Sequence, residues 1–201
     1  MTNFLSSKFI YSISEQKQFD TFKYNQPQIA FIGRSNVGKS SLINQITNNK
    51  KLALVSKSPG KTKAINYFMT IDNKYIITDL PGYGYAKRSK AERNHWSELI
   101  NIYIKKQKQY IRSIFILIDS RHEIKDIDIQ AIEYIKSNNI QCVLVLTKAD
   151  KTKDSEIEKR HQEIETKLIN LKYIYPTLIS VSSVSKMGIK DLIDNIVSVL
   201  I

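Results

Sequence analysis

Cysteine, proline and glycine are all scarce in this chain of 201 residues, which holds one cysteine, four prolines and six glycines. The single cysteine, Cys142, excludes an internal disulfide, and its place in the apolar run 142–146 reads as a reduced core thiol. No stretch approaches the ~20 apolar residues that a bilayer-spanning helix needs, so stable membrane insertion is not expected. Residues 1–9 carry a lone lysine and neither an apolar core nor a small-residue cleavage site, so no secretory signal is read there. Together these absences point to the cytoplasm. No His/Cys grouping has zinc-ligand spacing. Acidic residues are also few: 19 against 31 Lys and Arg, for a formal charge of +12. Such a charge would attract phosphate-rich partners. A composition rich in Lys, Ile, Asn and Tyr can equally come from a biased genome, and the charge alone does not choose between the two.

What is present is a regular alternation. Short apolar runs (28–32, 64–71, 75–79, 113–119, 142–148 and 177–182) read as strands. Between them, 40–47, 86–110, 126–138, 154–170 and 189–200 read as helices. Asp72-Asn73 is a plausible tight turn, and 48–62, with Pro59-Gly60, reads as a mobile loop. Strands alternating with helices imply parallel pairing, and runs such as Ile-Phe-Ile-Leu-Ile suit strands covered on both faces. The expected fold is α/β: a three-layer α/β/α arrangement around a six-stranded, mostly parallel sheet. Residues 22–201 form its single domain and 1–21 an N-terminal extension whose role is left open. A monomer is the default for so small a unit. In such sheets ligands bind beyond the carboxyl ends of the strands.

Those strand ends carry a specific constellation. After the first expected strand comes Gly33-Arg34-Ser35-Asn36-Val37-Gly38-Lys39-Ser40, a match to G-x-x-x-x-G-K-[ST] in the required strand–loop–helix context. Its backbone amides can wrap phosphate oxygens, Lys39 can reach the β- and γ-phosphates, and the Ser40 hydroxyl can ligate Mg²⁺. After the third comes Asp79-Leu80-Pro81-Gly82, a D-x-x-G. Asp79 would hold Mg²⁺ through a water, and the Gly82 amide would sense the γ-phosphate. After the fifth comes Thr147-Lys148-Ala149-Asp150, a match to [NT]-K-x-D. The Asp150 carboxylate can accept two hydrogen bonds from guanine, a pattern adenine cannot offer, and the Lys148 stem can cover the base. After the sixth, Val181-Ser182-Ser183 stands where a short base-contacting loop is expected. The motifs therefore predict a fold that binds GTP and GDP with Mg²⁺; an ATP-using kinase conflicts with 147–150. Thr62, in the loop before a strand, is the best candidate for a switch threonine on Mg²⁺ and the γ-phosphate. Lys39, Thr62 and Gly82 are the expected catalytic set.

The segments between the motifs narrow the match. Residues 58–68 (SPGKTKAINYF), 81–96 (PGYGYAKRSKAERNHW) and Asp119-Ser120-Arg121-His122 resemble the EngB (YihA/YsxC) family of bacterial P-loop GTPases. The resemblance runs from about residue 19 to the C-terminus. It implies a GTPase that acts in assembly of the large ribosomal subunit, with rRNA and ribosomal proteins as partners, and that is needed for normal cell division and septation. It also implies Ser40 and Thr62 as magnesium ligands and adds Gly60, Lys61, Lys63 and Ala64 to the nucleotide-binding set. A nucleotide-regulated module of the division machinery, with incidental hydrolysis, is the alternative.

Rate control is less legible. Many GTPases place a glutamine directly after D-x-x-G to orient the attacking water; here Tyr83 stands there, which predicts slow hydrolysis raised by a partner or by a monovalent cation. Asn36 is either a K⁺ ligand beside the phosphates or a turn residue tolerated for its backbone preferences. The basic stretch Lys87, Arg88, Lys90, Arg93, Lys105, Lys106 and Lys108, with Tyr83 and Tyr85, is either an rRNA-facing surface or a solvated helix face. His122 reads as a structural hydrogen-bonding partner, His95 and His161 as surface residues, and Trp96 as a core anchor.

Overall fold

The computed structural model describes residues 5–54, 64–83, 90–170 and 177–201, with backbone alone for 90–96 and 170. Its strands are β1 (Ser7–Ile13), β2 (Gln28–Gly33), β3 (Ile65–Thr70), β4 (Ile76–Asp79), β5 (Ile111–Asp119), β6 (Cys142–Thr147) and β7 (Thr177–Ser180). The helices are α1 (Lys39–Ile46), α2 (Lys90–Gln107), α3 (Asp126–Ser137), α4 (Asp154–Asn170) and α5 (Ile189–Leu200). The strands form a seven-stranded sheet in the order β1-β3-β4-β2-β5-β6-β7. β3 pairs antiparallel with β1 and β4, and all remaining pairs are parallel.

The α/β fold expected from the alternation is present, with one correction: the sheet has seven strands, not six. The extra strand, β1, lies within 1–21 and pairs along β3 from Ser7–Thr70 to Ile13–Ile65. Its sequence, SKFIYSI, lacks a continuous apolar run because only its two end residues are buried. An edge strand has a neighbour on one side only, so the pattern that betrays a central strand is weak there.

The two faces of the sheet are covered by different helices. Ala30 and Ile32 of β2 face α2, α3 and α4 through Leu99, Tyr103, Ile132 and Ile164. The alternate residues Ile29 and Phe31 join Leu42 and Ile43 of α1 with Leu192 and Ile196 of α5. This period of two along β2, with every residue buried, is what a strand covered on both faces requires. Cys142 lies in the first of these layers, where burial pushes its thiol up to about 11, so it is a core residue as expected. The Asp72-Asn73 turn also forms, with Asn73 at φ 58° and Asp72 accepting from the Thr70 hydroxyl at 2.6 Å.

A buried polar group locks α2 onto the sheet. The Gln28 side-chain amide donates to Gln107 at 3.1 Å, and its oxygen accepts from Thr78 at 2.8 Å and Tyr103 at 3.2 Å. All four side chains are buried, and the network fixes the end of α2 to β2 and β4. β2 is flanked by β4 on one side and β5 on the other, so chain order reverses at its carboxyl end, where ligands of such sheets bind.

Candidate nucleotide-binding site

β2 ends at Gly33, and α1 begins six residues later at Lys39. Between them the chain turns tightly: the Val37 amide donates to the Arg34 carbonyl at 3.2 Å, Asn36 is at φ 64° and Gly38 at φ 102°. Gly38 is the N-cap of α1 and no side chain caps that end. The first-turn amides of the helix therefore face the loop, with the positive end of the helix dipole behind them. That is the arrangement that receives a phosphate.

β4 delivers the second part. The Leu80 amide donates to Phe31 at 3.0 Å and the Tyr83 amide to Gly33 at 3.1 Å, so residues 80–83 are laced along the end of β2. Gly82 passes so close that a Cβ there would stand 2.9 Å from the Gly33 carbonyl oxygen, nearer than carbon and backbone oxygen tolerate. Asp79 is buried and ion-paired with the equally buried Lys39 ammonium. Ser40, half-buried, follows in the first turn of the helix. The oxygen donors here, one hydroxyl and one carboxylate, suit Mg²⁺, which keeps several waters and binds mostly through substrate phosphates. Among the described residues there is no group of three His, Cys, Asp or Glu that could hold a metal ion.

The third part is tied to the first by side chains. The Thr147 hydroxyl donates to the Val37 carbonyl at 2.6 Å, and the Lys148 ammonium donates to the Asn36 carbonyl at 2.7 Å. Two consecutive carbonyls of the glycine loop are thus held by the end of β6. Lys148 has φ 58°, a left-handed conformation costly for a residue with a side chain, by about 1 kcal/mol. Its ammonium is also 2.9 Å from Asp119, whose carboxylate is gripped by Arg121 through Nε at 2.9 Å and Nη2 at 2.8 Å. Burial alone would raise the Asp119 pKa. The hydrogen bonds from Arg121 and Lys148 outweigh it and hold the carboxyl well below the usual range.

The fourth part closes on the third. The Ala149 amide donates to the Val181 carbonyl at 3.1 Å. The Ser182 hydroxyl donates to Asp150 at 2.6 Å and accepts from the amides of Val184 and Ser185 at 3.1 and 3.0 Å. Ser182 is buried and Ser183 half-buried. The Ser182 bond, and after it the Lys151 ammonium, lowers the Asp150 pKa, so this carboxylate is ionised and oriented at neutral pH.

The structure therefore brings residues 33–40, 79–82, 147–150 and 181–183 to the carboxyl ends of β2, β4, β6 and β7, with β5 and its Asp119 between β2 and β6. Ala64 lies just ahead of β3; Gly60, Lys61, Thr62 and Lys63 lie outside the described residues, as do Tyr85, Lys87 and Arg88 and the side chains of Lys90, Arg93, His95 and Trp96. Two expectations need correction. Tyr83 is not an aromatic face offered to a partner: it is 2% exposed and its hydroxyl donates to Asp128 at 2.9 Å. His161 is not a bare surface residue: it is half-buried, and its Nε2 lies 2.8 Å from the Ser180 hydroxyl on β7. In both cases a polar atom at one end of a ring found a partner far away in the chain. Asp128 was missed altogether by sequence reasoning, and the only signal for it was an acidic residue in the first turn of an expected helix.

Comparison with known proteins agrees with this geometry. The family described as 50S ribosome-binding GTPase matches residues 28–148. The probable GTP-binding protein EngB of Thermotoga maritima is 46% identical over 173 residues, 86% of each chain. Its namesake in Clostridium acetobutylicum is 44% identical over 196 residues, 96% of this chain and 93% of that one. Among solved structures, a probable GTP-binding protein EngB superposes with a TM-score of 0.69 at 24% identity, covering 86% of this chain and 98% of that one. Era of Aquifex aeolicus, bound to GDP and AlF4⁻, also gives 0.69, at 21% identity over 88% of this chain and 57% of its own; these two likenesses speak for the fold alone. On the sequence matches, the chain belongs to the EngB family of GTP-binding proteins, within the 50S ribosome-binding GTPases.

Proposed function

We propose that this protein is a slow GTPase switch that docks on the large ribosomal subunit or its precursor during assembly and leaves after hydrolysis. The observation that carries the guanine reading is the lacing of the glycine loop to the Thr147–Asp150 turn, with an ionised Asp150 oriented by Ser182. A phosphate cradle and a base-reading carboxylate held in one frame suit a guanine nucleotide. In this reading Lys39 binds the β- and γ-phosphates and Gly82 donates its amide to the γ-phosphate. Ser40, Thr62 and, through water, Asp79 would hold Mg²⁺. When bound, Mg²⁺ offsets phosphate charge.

Tyr83 stands directly after D-x-x-G, where a glutamine orients water in many GTPases, and its hydroxyl is turned toward Asp128, which supports a low intrinsic rate. Asn36, exposed in the loop, is the candidate K⁺ contact, and K⁺ would supply charge that an arginine finger supplies elsewhere. Its left-handed φ is equally what a turn asparagine adopts, so turnover in KCl against NaCl at equal ionic strength decides; equal rates would remove K⁺ from the scheme. The domain is taken as residues 22–201, with 1–21 as an extension that adds β1, working as a cytoplasmic monomer. Among the described residues no helix is long and apolar enough to cross a membrane.

The ribosomal role rests on the family description and on the charge of +12, which favours an RNA-rich partner. Impaired division and septation on depletion would then follow from a shortage of large subunits. Co-sedimentation with large subunits, comparing a non-hydrolysable GTP analogue with GDP, tests this. Binding with the analogue and release with GDP is expected. No association in either state would sink the ribosomal role and leave the division-machinery reading.

A further inference from the structure

Behind the glycine loop lies a buried polar group that neither end of the nucleotide site uses directly. The Tyr83 hydroxyl donates to Asp128 Oδ1 at 2.9 Å, and Arg34 Nε is 3.4 Å from the same oxygen. Asp128 Oδ2 accepts the Lys125 amide at 3.0 Å and so caps α3. Capping needs only that second oxygen and is ordinarily done at the surface. Asp128 is instead fully buried, with its other oxygen given to side chains from two distant segments. A buried carboxylate persists only where donors surround it, so the group is costly to leave half-made.

Tyr83 is the residue held most firmly by it. Its amide donates to Gly33, its backbone bridges to Arg34, and its ring is buried in the layer that holds α2 and α3. Burial first, then the charge of Asp128, pushes its pKa well above the ordinary value, so the phenol remains a neutral donor. One peptide before it stands Gly82, whose amide is the group assigned to the γ-phosphate. Tyr83 is therefore anchored at its backbone to β2 and at its hydroxyl to α3.

We propose that Asp128, acting through Tyr83 and Arg34, is a positioning residue that holds the Gly82 amide ready for a γ-phosphate and so raises the preference for GTP over GDP. This rests on the GTP-switch reading above. An amide already in place loses less freedom when the γ-phosphate arrives, and GDP, which lacks that group, gains nothing from it. Arg34 keeps its Nε 3.4 Å from the same carboxylate. Loss of the tyrosine hydroxyl would thus leave Asp128 still paired with a cation, and Tyr83→Phe should fold.

The test uses the full chain with Mg²⁺, a fluorescent GDP and a fluorescent non-hydrolysable GTP analogue, on the parent, Tyr83→Phe, Asp128→Asn and the double variant. Asp128→Asn keeps an oxygen for the α3 cap. Each single change is expected to weaken the GTP analogue about fivefold and leave GDP affinity unchanged, with the double no worse than the weaker single. Equal weakening of both nucleotides in step with a lower melting temperature would mean a merely structural group and overturn the proposal. So would parental affinities throughout. A parent that bound neither nucleotide would overturn the switch reading, and this inference with it.

Discussion

The phosphate end and the base end of the site are built from different materials. At residues 33–40 and 79–82 the work is done by backbone: a left-handed Gly38, an uncapped helix start, and a Gly82 too close to Gly33 for any side chain. The Lys39–Asp79 pair adds side-chain charge there. At residues 119–121, 147–150 and 182 the shape is held by side chains, through two carboxylates, two cations and two hydroxyls. In the proposed reading the backbone end would accept any triphosphate, because peptide amides present the same dipole whatever base is attached. The side-chain end can discriminate, because a carboxylate has a directional acceptor pattern. Even so, the base end contains one backbone requirement. A Cβ on Gly188, at φ 64°, would stand 1.9 Å from the Ser180 carbonyl oxygen, so the loop after Ser182 can turn back only through glycine.

Changes at the two ends should therefore fail in different ways. Lys39→Ala should have the largest effect, weakening GTP and GDP alike by at least about a hundredfold in calorimetric titration. It leaves Asp79 buried without its partner, a situation that costs about 3–5 kcal/mol. A variant that kept parental affinity would erase the contrast between the ends.

Asp150→Asn should come next and act only on the base: GTP weakens about a hundredfold while xanthine nucleotides gain, since the amide now donates where the carboxylate accepted. Unchanged GTP affinity would remove Asp150 from base reading. A smaller loss, about tenfold for both guanine nucleotides, is expected for Asp119→Asn, because Lys148 loses the charge that holds it over the loop.

The same residue gives a pH signature. Its folded pKa is depressed, so its contribution to stability is complete above the ordinary carboxylate value of about 3.9 and fades as pH falls below it. The melting-temperature gap between parent and Asp119→Asn should therefore be constant from about pH 7 to pH 5 and narrow toward pH 3. A constant gap throughout would show that the ion pair does not set it. The smallest effect belongs to Ser182→Ala, about threefold on GTP affinity, because it frees Asp150 to rotate without removing it. A loss as large as that of Asp150→Asn would mean that the hydroxyl itself reads the base.

Much of this was legible before any coordinates. The glycine loop, the D-x-x-G, the T-K-x-D and the strand–helix alternation are contiguous in the chain, and local spacing carries them. The strand count came out one short because β1 is an edge strand with a mixed pattern. Tyr83 reads as a surface aromatic because the basic stretch 87–90 follows it closely, whereas its partner Asp128 stands 45 positions away. His161 looked exposed for the same reason: its helix is largely charged, yet one face of it meets β7.

The sequence by itself determined which chemical groups stand at the strand ends, because motifs of four to eight consecutive residues carry their own backbone geometry. Only the tertiary structure decided what those groups lean on. Asp119 under Lys148, Asp128 under Tyr83 and Ser182 against Asp150 are contacts between segments that meet only once the sheet has formed. A buried carboxylate takes the donors that packing brings to it as well as local ones, and the distant donors, Lys148 for Asp119 and Tyr83 for Asp128, are not marked by anything beside it in the chain.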